Sequence, residues 1–148
     1  MVSLEKIRKQ YGMNELSRKD LLESPTEMFR SWFEKIEDLE HIEPNAAILS
    51  TSTKKGKPSS RTVLVKEFND RGFVFYTNLE SRKGAELLDN PQAALCFHWK
   101  SIRRQVRIEG RTTIVSAVEA DQYFASRPRA AQIGAWASSQ SKTLAAPS

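Results

Sequence analysis

Three strand-like segments follow one another in the first half of the chain with only short turns between them. The segments are "AAILSTS", "SSRTVLVKEF" and "FVFYTN", and the turns are "TKKGKP" and "NDRG". Turns this short join antiparallel neighbours, because a parallel pair needs a crossover of roughly a dozen residues or more. The chain is therefore predicted to build an antiparallel sheet, and a doubly wound parallel fold is not expected.

Helices interrupt this sheet instead of alternating with its strands. Two more strands, "QAALCFHW" and "RRQVRIEGRTTIVS", follow a short helix, "SRKGAELLDN". This order predicts a mainly β fold with flanking helices, a closed or partly closed antiparallel barrel. At 148 residues the chain is expected to form one domain. Its predicted parts are an N-terminal arm (1–23), a helix (24–41), the barrel strands (46–115) and a helical C-terminal part (116–148).

The first of these helices has a clear start and a clear inner face. Ser24 and Glu27 have the spacing of a capping box, and apolar residues then recur at helical intervals. The members of this stripe are Phe29, Trp32, Phe33 and Ile36. These side chains are predicted to belong to the core.

Composition narrows the class of protein. No apolar run approaches the roughly 18 residues of a membrane span, and the N-terminus lacks the apolar core of a signal peptide. A cytoplasmic protein without a membrane partner is therefore expected. Cys96 is the single cysteine, which excludes an internal disulfide, and beside it stand only His41 and His98. No metal site is predicted from this set.

Charge points to an anionic partner. The net charge is +5, which suits an anionic partner such as nucleic acid, a phosphorylated metabolite or anionic lipid. Arg82 and Lys83 stand where a helix should begin, although cations at that end typically cost about 0.3–1 kcal/mol each. We therefore expect an anion at this helix start. Neither G-x-G-x-x-G nor G-x-x-x-x-G-K-[ST] occurs, so the site is not a common nucleotide loop.

Several longer motifs carry a family resemblance. They are "FYTNLESRKG", "RQVRIEG" and "SRPRAAQIGAWASSQS", and the similarity runs from "IRKQY" near residue 7 to Ser141. On these motifs the chain resembles the pyridoxamine 5′-phosphate oxidase family, the FMN-dependent enzymes that make pyridoxal 5′-phosphate in vitamin B6 metabolism. The resemblance implies an FMN-binding split β-barrel of Greek-key type that forms a homodimer with two flavins at the interface.

The resemblance also implies roles for individual residues. Arg82 and Lys83 would hold the FMN phosphate, and Gln140 and Ser141 would reach the flavin from the partner subunit. The other implied flavin residues are Arg61, Thr62, Val63, Leu64, Tyr76, Thr77 and Gln105. The implied substrate residues are Arg8, Lys9, Gln10, Tyr11, Lys66, Tyr123, Arg127 and Ala131, where Ala131 stands in place of a serine common in the family.

Two of these roles have plain structural alternatives. Tyr123 lies on an amphipathic helix and is also compatible with a partly buried packing role. Gln105 lies on an alternating strand, where it is also compatible with a side chain that faces solvent. No side chain is an obvious catalytic acid or base.

The reaction implied by the resemblance is oxidation of pyridoxamine or pyridoxine 5′-phosphate to pyridoxal 5′-phosphate, with O2 as acceptor. Family members continue past the position of Ser148 with a Trp and an Arg-x-His segment. The expectation is that these 148 residues retain FMN but turn over slowly. The alternative is a non-catalytic module that binds FMN or pyridoxal phosphate. Nucleic-acid binding is less well supported, because the aromatic residues lie at core spacings rather than on a stacking platform.

Overall fold

The chain forms one antiparallel sheet in the part that the structure, a computed structural model, describes: residues 16–39 and 43–137. Its five strands are ordered β3-β2-β1-β4-β5 and curl into half of a split barrel with flanking helices. The strands are β1 (Ala46–Ser52), β2 (Pro58–Asn69), β3 (Gly72–Phe75), β4 (Gln92–Trp99) and β5 (Arg104–Arg111). The antiparallel fold predicted from the short turns is confirmed.

Four α-helices flank this sheet within the described residues. They are α1 (Pro25–Leu39), α2 (Arg82–Asp89), α3 (Ala117–Ser126) and α4 (Arg129–Ala137), and a single 3-10 turn (Arg18–Asp20) precedes them. The predicted end of the first helix at residue 41 falls outside the described residues. Among the helices described, none has the length and apolar character needed to cross a bilayer.

The fifth strand is shorter than predicted. It ends at Arg111 instead of continuing to residue 116, and Gly110 marks no bulge. The reason is its neighbour: pairing with β4 runs unbroken from Trp99–Arg104 to Gln92–Arg111, and β4 begins at Gln92. Beyond Arg111 the strand therefore has no β4 residue left to pair with.

The core lies between α1 and one face of the sheet. The buried sheet residues alternate along β1, β2 and β4, and they are Ala47, Leu49, Val63, Val65, Leu95, Phe97 and Trp99. Phe29 and Ile36 of α1 cover them, and the Phe29 ring centroid lies 4.8 Å from that of Phe68 in an edge-on contact. Such contacts between aromatic rings add to the gain from burying apolar surface. The core role predicted for the aromatic stripe of this helix is confirmed.

A bulge in β2 lets both halves of this long strand contribute to that core. Val65 and Phe68 are three residues apart, so a regular strand would place them on opposite faces. The register with β3 shifts between Val65 and Glu67, which leaves Lys66 as the extra residue. Phe68 consequently packs against the same core as Val65.

The opposite side of the sheet is called here the outer face. It carries Ile48, Thr62 and Cys96, which are paired across three neighbouring strands. Ile48 is 43% exposed there. An apolar side chain this exposed at the centre of a sheet leaves the outer face open to a further packing partner.

Helix α2 begins with an unusually close backbone approach. Ser81 is fully buried at the N-cap, and its Oγ accepts a hydrogen bond from the Gly84 N–H at 3.3 Å. A Cβ atom added to Gly84 would lie 2.4 Å from the carbonyl oxygen of Leu79. Only glycine therefore fits here without moving the turn that leads into α2.

We predict that Gly84→Ala lowers the free energy of unfolding by about 1–3 kcal/mol, the usual range for overpacking, because the Leu79 backbone must shift. Gly134→Ala is the matched control, since a Cβ at that position in α4 meets no atom within 4 Å. The control is expected to be neutral or to stabilise by up to about 1 kcal/mol. Urea unfolding followed by circular dichroism measures both, and equal effects of the two substitutions would contradict the close approach.

Candidate functional site

Two cations occupy the first positions of α2, as the sequence predicted. The helix starts at Arg82, and no acidic residue lies in its first turn. The Lys83 side chain is buried and its Nζ lies 3.4 Å from Ser81 Oγ, whereas the Arg82 side chain is half exposed. The first two residues of α2 therefore add positive side chains to a helix end that already carries a partial positive charge.

Arg61 approaches the same place from β2. It pairs with Leu49 across the sheet, so its side chain lies on the core-facing side of the strand. Its Nη1 donates to Thr51 Oγ1 at 2.6 Å and to the Leu49 carbonyl at 3.3 Å, and its Nη2 donates to Ser59 Oγ at 2.5 Å. Lys66 is exposed on the same strand, where it is the extra residue of the bulge.

A buried carboxylate joins these cations. Glu86 of α2 is 6% exposed and accepts hydrogen bonds from Thr51 Oγ1 at 2.5 Å, Ser59 Oγ at 2.6 Å and Arg82 Nε at 2.9 Å. Burial raises the pKa of Glu86, but the hydrogen bonds from Ser59, Thr51 and Arg82 outweigh it and lower that pKa to about 2. The carboxylate is therefore ionised at neutral pH.

We call Arg61, Arg82, Lys83 and Glu86 the α2 cluster. It holds three cationic side chains and a single carboxylate. Burial lowers the pKa of Lys83, and the positive charge of Arg61 lowers it further. An anion bound nearby would counter both effects and favour the charged form of Lys83.

Sequence reasoning missed Glu86, Thr51 and Ser59. The spacing of Arg82 and Glu86 signals an ion pair one helical turn apart, and that pair is present. The contacts of Glu86 with Thr51 and Ser59 span 35 and 27 residues of sequence. These contacts depend on the register of β1 with β2 and on the position of α2 against the sheet. No local sequence pattern specifies either of these.

Two tyrosines stack beside the end of β3. The Tyr76 and Tyr123 ring centroids are 3.7 Å apart with an interplanar angle of 4°, and Tyr76 Oη donates to Glu119 Oε1 at 3.5 Å. Burial and the negative charge of Glu119 raise the pKa of Tyr76. Tyr123 is half-buried in this stack, and the structure thereby brings an implied flavin residue against an implied substrate residue.

Thr77 follows in the chain and has a buried hydroxyl. Its Oγ1 is the single buried side-chain oxygen or nitrogen in residues 16–39 and 43–137 that has no hydrogen-bond partner. A buried hydroxyl without a partner is costly. Thr77 is therefore a candidate contact for a ligand with hydrogen-bonding groups.

The remaining predicted flavin residues are spread over the sheet. Val63 is part of the hydrophobic core, so only its backbone is available to a ligand. Thr62 and Leu64 lie on the outer face, and so does Gln105, which pairs with His98. Gln105 is exposed there and does not join the α2 cluster. Gln140 and Ser141 lie outside the described residues.

The predicted substrate residues are likewise separated. Arg127 caps α3 with its guanidinium carbon 5.9 Å from the Phe124 ring centroid, and Ala131 lies on α4. Arg8, Lys9, Gln10 and Tyr11 lie outside the described residues. Within the described residues, no group of three His, Cys, Asp or Glu side chains is placed to hold a metal ion.

Comparison with known proteins agrees with the motifs. The family model described as pyridoxamine 5′-phosphate oxidase matches residues 33–147. A pyridoxine/pyridoxamine 5′-phosphate oxidase of Salinibacter ruber is 52% identical over 97% of this chain and 67% of that protein. One from Gluconobacter oxydans is 54% identical over 89% of this chain and 66% of that protein. The chain thus spans about two thirds of the length of these relatives.

Solved structures support the same conclusion. PhzG from Burkholderia lata, solved with tetrahydrophenazine-1-carboxylic acid, superposes with a TM-score of 0.82 at 29% identity, over 86% of this chain and 63% of that one. A pyridoxamine 5′-phosphate oxidase-related, FMN-binding protein from Nostoc punctiforme shares the fold, with a TM-score of 0.55 at 22% identity, over 76% of this chain and 58% of that one. Together with the family model, which matches most of the chain, these likenesses establish that the protein belongs to the pyridoxamine 5′-phosphate oxidase family.

Proposed function

We propose that this protein binds FMN and uses it to oxidise pyridoxamine or pyridoxine 5′-phosphate to pyridoxal 5′-phosphate, with O2 as acceptor. The observation that carries the proposal is the α2 cluster, in which Arg82 and Lys83 lie at a helix start and Arg61 and Arg82 both approach the Glu86 carboxylate. The names of the relatives supply the reaction class.

The residues present fit an FMN phosphate. Arg82 offers its two terminal nitrogens, which its bond to Glu86 does not use and which match a phosphate through parallel hydrogen bonds. Arg61 adds a positive charge whose terminal nitrogens already donate within the protein, and Lys83 adds a compact charge. The N-terminus of α2 adds the positive end of the helix dipole. A phosphate of nearly two negative charges would favour the charged form of these cations.

The flavin ring system has candidate contacts nearby in the chain. The buried Thr77 hydroxyl has no partner among the described side chains, and a flavin offers several hydrogen-bonding atoms. Tyr76 is half-buried next to it. We propose that these two residues touch the flavin, together with Thr62, Val63, Leu64, Gln105, Gln140 and Ser141.

For the substrate, we propose that Lys66, Tyr123 and Arg127 bind the second phosphate with the help of Arg8 to Tyr11, near Ala131. When bound, FMN accepts the hydride from the substrate carbon and passes the electrons to O2. The chain's own task is then to fix two phosphates and so orient the reacting carbon. The Tyr76–Tyr123 stack supports these assignments, because it brings a residue proposed to touch the flavin against one proposed to bind the substrate.

We also propose that the protein acts as a homodimer. Large apolar side chains remain exposed on the outer face, between β5 and α3, and on the C-terminal helices, and they are Ile48, Ile114, Val118, Ile133 and Trp136. Trp136 is 85% exposed, which is unusual for a large aromatic residue. A second copy that covers these residues would also bring the partner's Gln140 and Ser141 to the flavin.

The first prediction tests the phosphate assignment. The double variant Arg82→Ala/Lys83→Ala should weaken FMN on the order of 100-fold, because each lost charged contact is worth about 1.5–3 kcal/mol. Riboflavin, which lacks the phosphate, should change by less than about threefold if only phosphate contacts are lost. Quenching of flavin fluorescence measures both. The control is Lys55→Ala/Lys57→Ala, which removes two exposed cations from the β1–β2 turn, and equal losses of FMN and riboflavin would refute the assignment.

The second prediction tests the substrate side. Tyr123→Phe keeps the ring stack but removes the hydroxyl proposed to bind the substrate phosphate. It should weaken pyridoxal 5′-phosphate binding about tenfold or more, the value of one hydrogen bond to a charged group. FMN affinity should be unchanged. Formation of pyridoxal 5′-phosphate from pyridoxamine 5′-phosphate by the FMN-loaded chain tests the reaction itself, and binding without any turnover would favour the non-catalytic alternative.

The third prediction concerns assembly. Light scattering should give twice the 16.8 kDa mass of one chain. Ile48→Glu should shift the protein towards monomer, because it places a charge in the proposed contact. Leu88→Glu is the matched control, since Leu88 is 56% exposed on α2, away from the outer face. A monomeric wild-type protein that binds FMN would contradict the shared site.

A further inference from the structure

Glu86 is an acidic residue inside a site proposed for an anion. A carboxylate there would be expected to compete with a phosphate for the same cations. In the structure, however, Glu86 is linked to Arg61 mainly through the hydroxyl groups of Thr51 and Ser59. The direct distance from Arg61 Nη2 to Glu86 Oε2 is 3.5 Å, at the outer limit of a hydrogen bond.

The two hydroxyls form a directed relay. Thr51 Oγ1 and Ser59 Oγ each donate to Glu86 Oε2, at 2.5 and 2.6 Å. A hydroxyl has one hydrogen, so each then presents only lone pairs on its other side. Arg61 donates to both of them, at 2.6 Å from Nη1 and 2.5 Å from Nη2. The ionised carboxylate thereby fixes the direction of both hydroxyls and, through them, the plane of the Arg61 guanidinium.

The hydrogen bond between Glu86 and Arg82 does not use the two terminal nitrogens of the Arg82 guanidinium. The contact runs from Arg82 Nε to Glu86 Oε1 at 2.9 Å. The two terminal nitrogens of Arg82 take no part in it, and they are the pair that grips a phosphate with two parallel hydrogen bonds. The side chain is 53% exposed, so without this contact it would sample many rotamers.

We propose that Glu86 is a positioning residue for the phosphate of FMN: it aligns Arg61 through Thr51 and Ser59 and aligns Arg82 directly. The inference rests on the proposed FMN function and adds to it a role for Thr51, Ser59 and Glu86, to which the family resemblance assigns none. It means that a negative charge strengthens the binding of an anion, because the order it imposes on two arginines outweighs its repulsion of the phosphate.

The test is the affinity of Glu86→Gln for FMN and for riboflavin. The amide offers an acceptor to only one side, so it either loses the two hydroxyls or turns its N–H groups towards Arg82. FMN should bind at least tenfold more weakly, and riboflavin within about twofold of wild type. Asp89→Asn is the control, because it removes the same charge from the exposed end of the same helix, and it should leave both affinities unchanged.

A second pair of variants separates positioning from folding. Thr51→Val keeps the shape of the buried side chain but breaks the relay, whereas Thr51→Ser keeps the hydroxyl. Thr51→Val should lose affinity for FMN but not for riboflavin, and Thr51→Ser should retain both. Thermal unfolding of both variants shows that each is folded at the temperature of the binding assay. These outcomes support the proposal even if Glu86→Gln does not fold.

Three outcomes would overturn it. Tighter FMN binding by Glu86→Gln would identify the carboxylate as a competitor of the phosphate. An unchanged ratio of FMN to riboflavin affinity in both Glu86→Gln and Thr51→Val would show that the relay is only structural. A wild-type protein that does not distinguish FMN from riboflavin would instead defeat the proposed phosphate site, and the role of Glu86 would fall with it.

Discussion

The contact between Glu86 and the hydroxyls of Thr51 and Ser59 connects the parts of this molecule on which its candidate site depends. It ties α2 to β1 and β2, and through Arg61 it reaches the core-facing side of the sheet. An ionised carboxylate with this little exposure is tolerated only when hydrogen-bond donors stabilise it, and Thr51, Ser59 and Arg82 supply close ones. The positions of Arg61 and Arg82 therefore follow from the hydrogen bonds that stabilise the Glu86 carboxylate.

The surrounding packing holds that contact in register. Alternating residues of three strands bury one face of the sheet under α1, which fixes which side chains of β1 and β2 point towards α2. Gly84 lets the turn after Leu79 close tightly, and the buried Ser81 caps the helix that carries Arg82 and Lys83. Each local choice thus agrees with the geometry that the cluster requires.

Local sequence signals predicted the elements that local physics controls. The Ser24 cap, the helix start at Arg82 and the short turns of the sheet all act over a few residues, and the structure has each of them. Of the predicted capping box, the structure shows the bond from the Glu27 N–H to Ser24 Oγ. The predicted end of β5 lies too far along the chain, because the true end depends on where β4 begins. The bulge at Lys66 likewise depends on how β2 pairs with β3. The partners of Glu86 were missed for the same reason, since 27 or more residues separate them from it.

The strand order has a consequence for folding. The sheet places β1 between β2 and β4, so the hairpin of β1 and β2 can form from neighbouring residues, whereas the pairing of β1 with β4 must close a loop that contains β3 and α2. The α2 cluster lies within that loop, and its contacts require α2 to dock against β1 and β2. A ligand held by this cluster would bind only the state in which α2 is docked, so its binding energy would stabilise that docking.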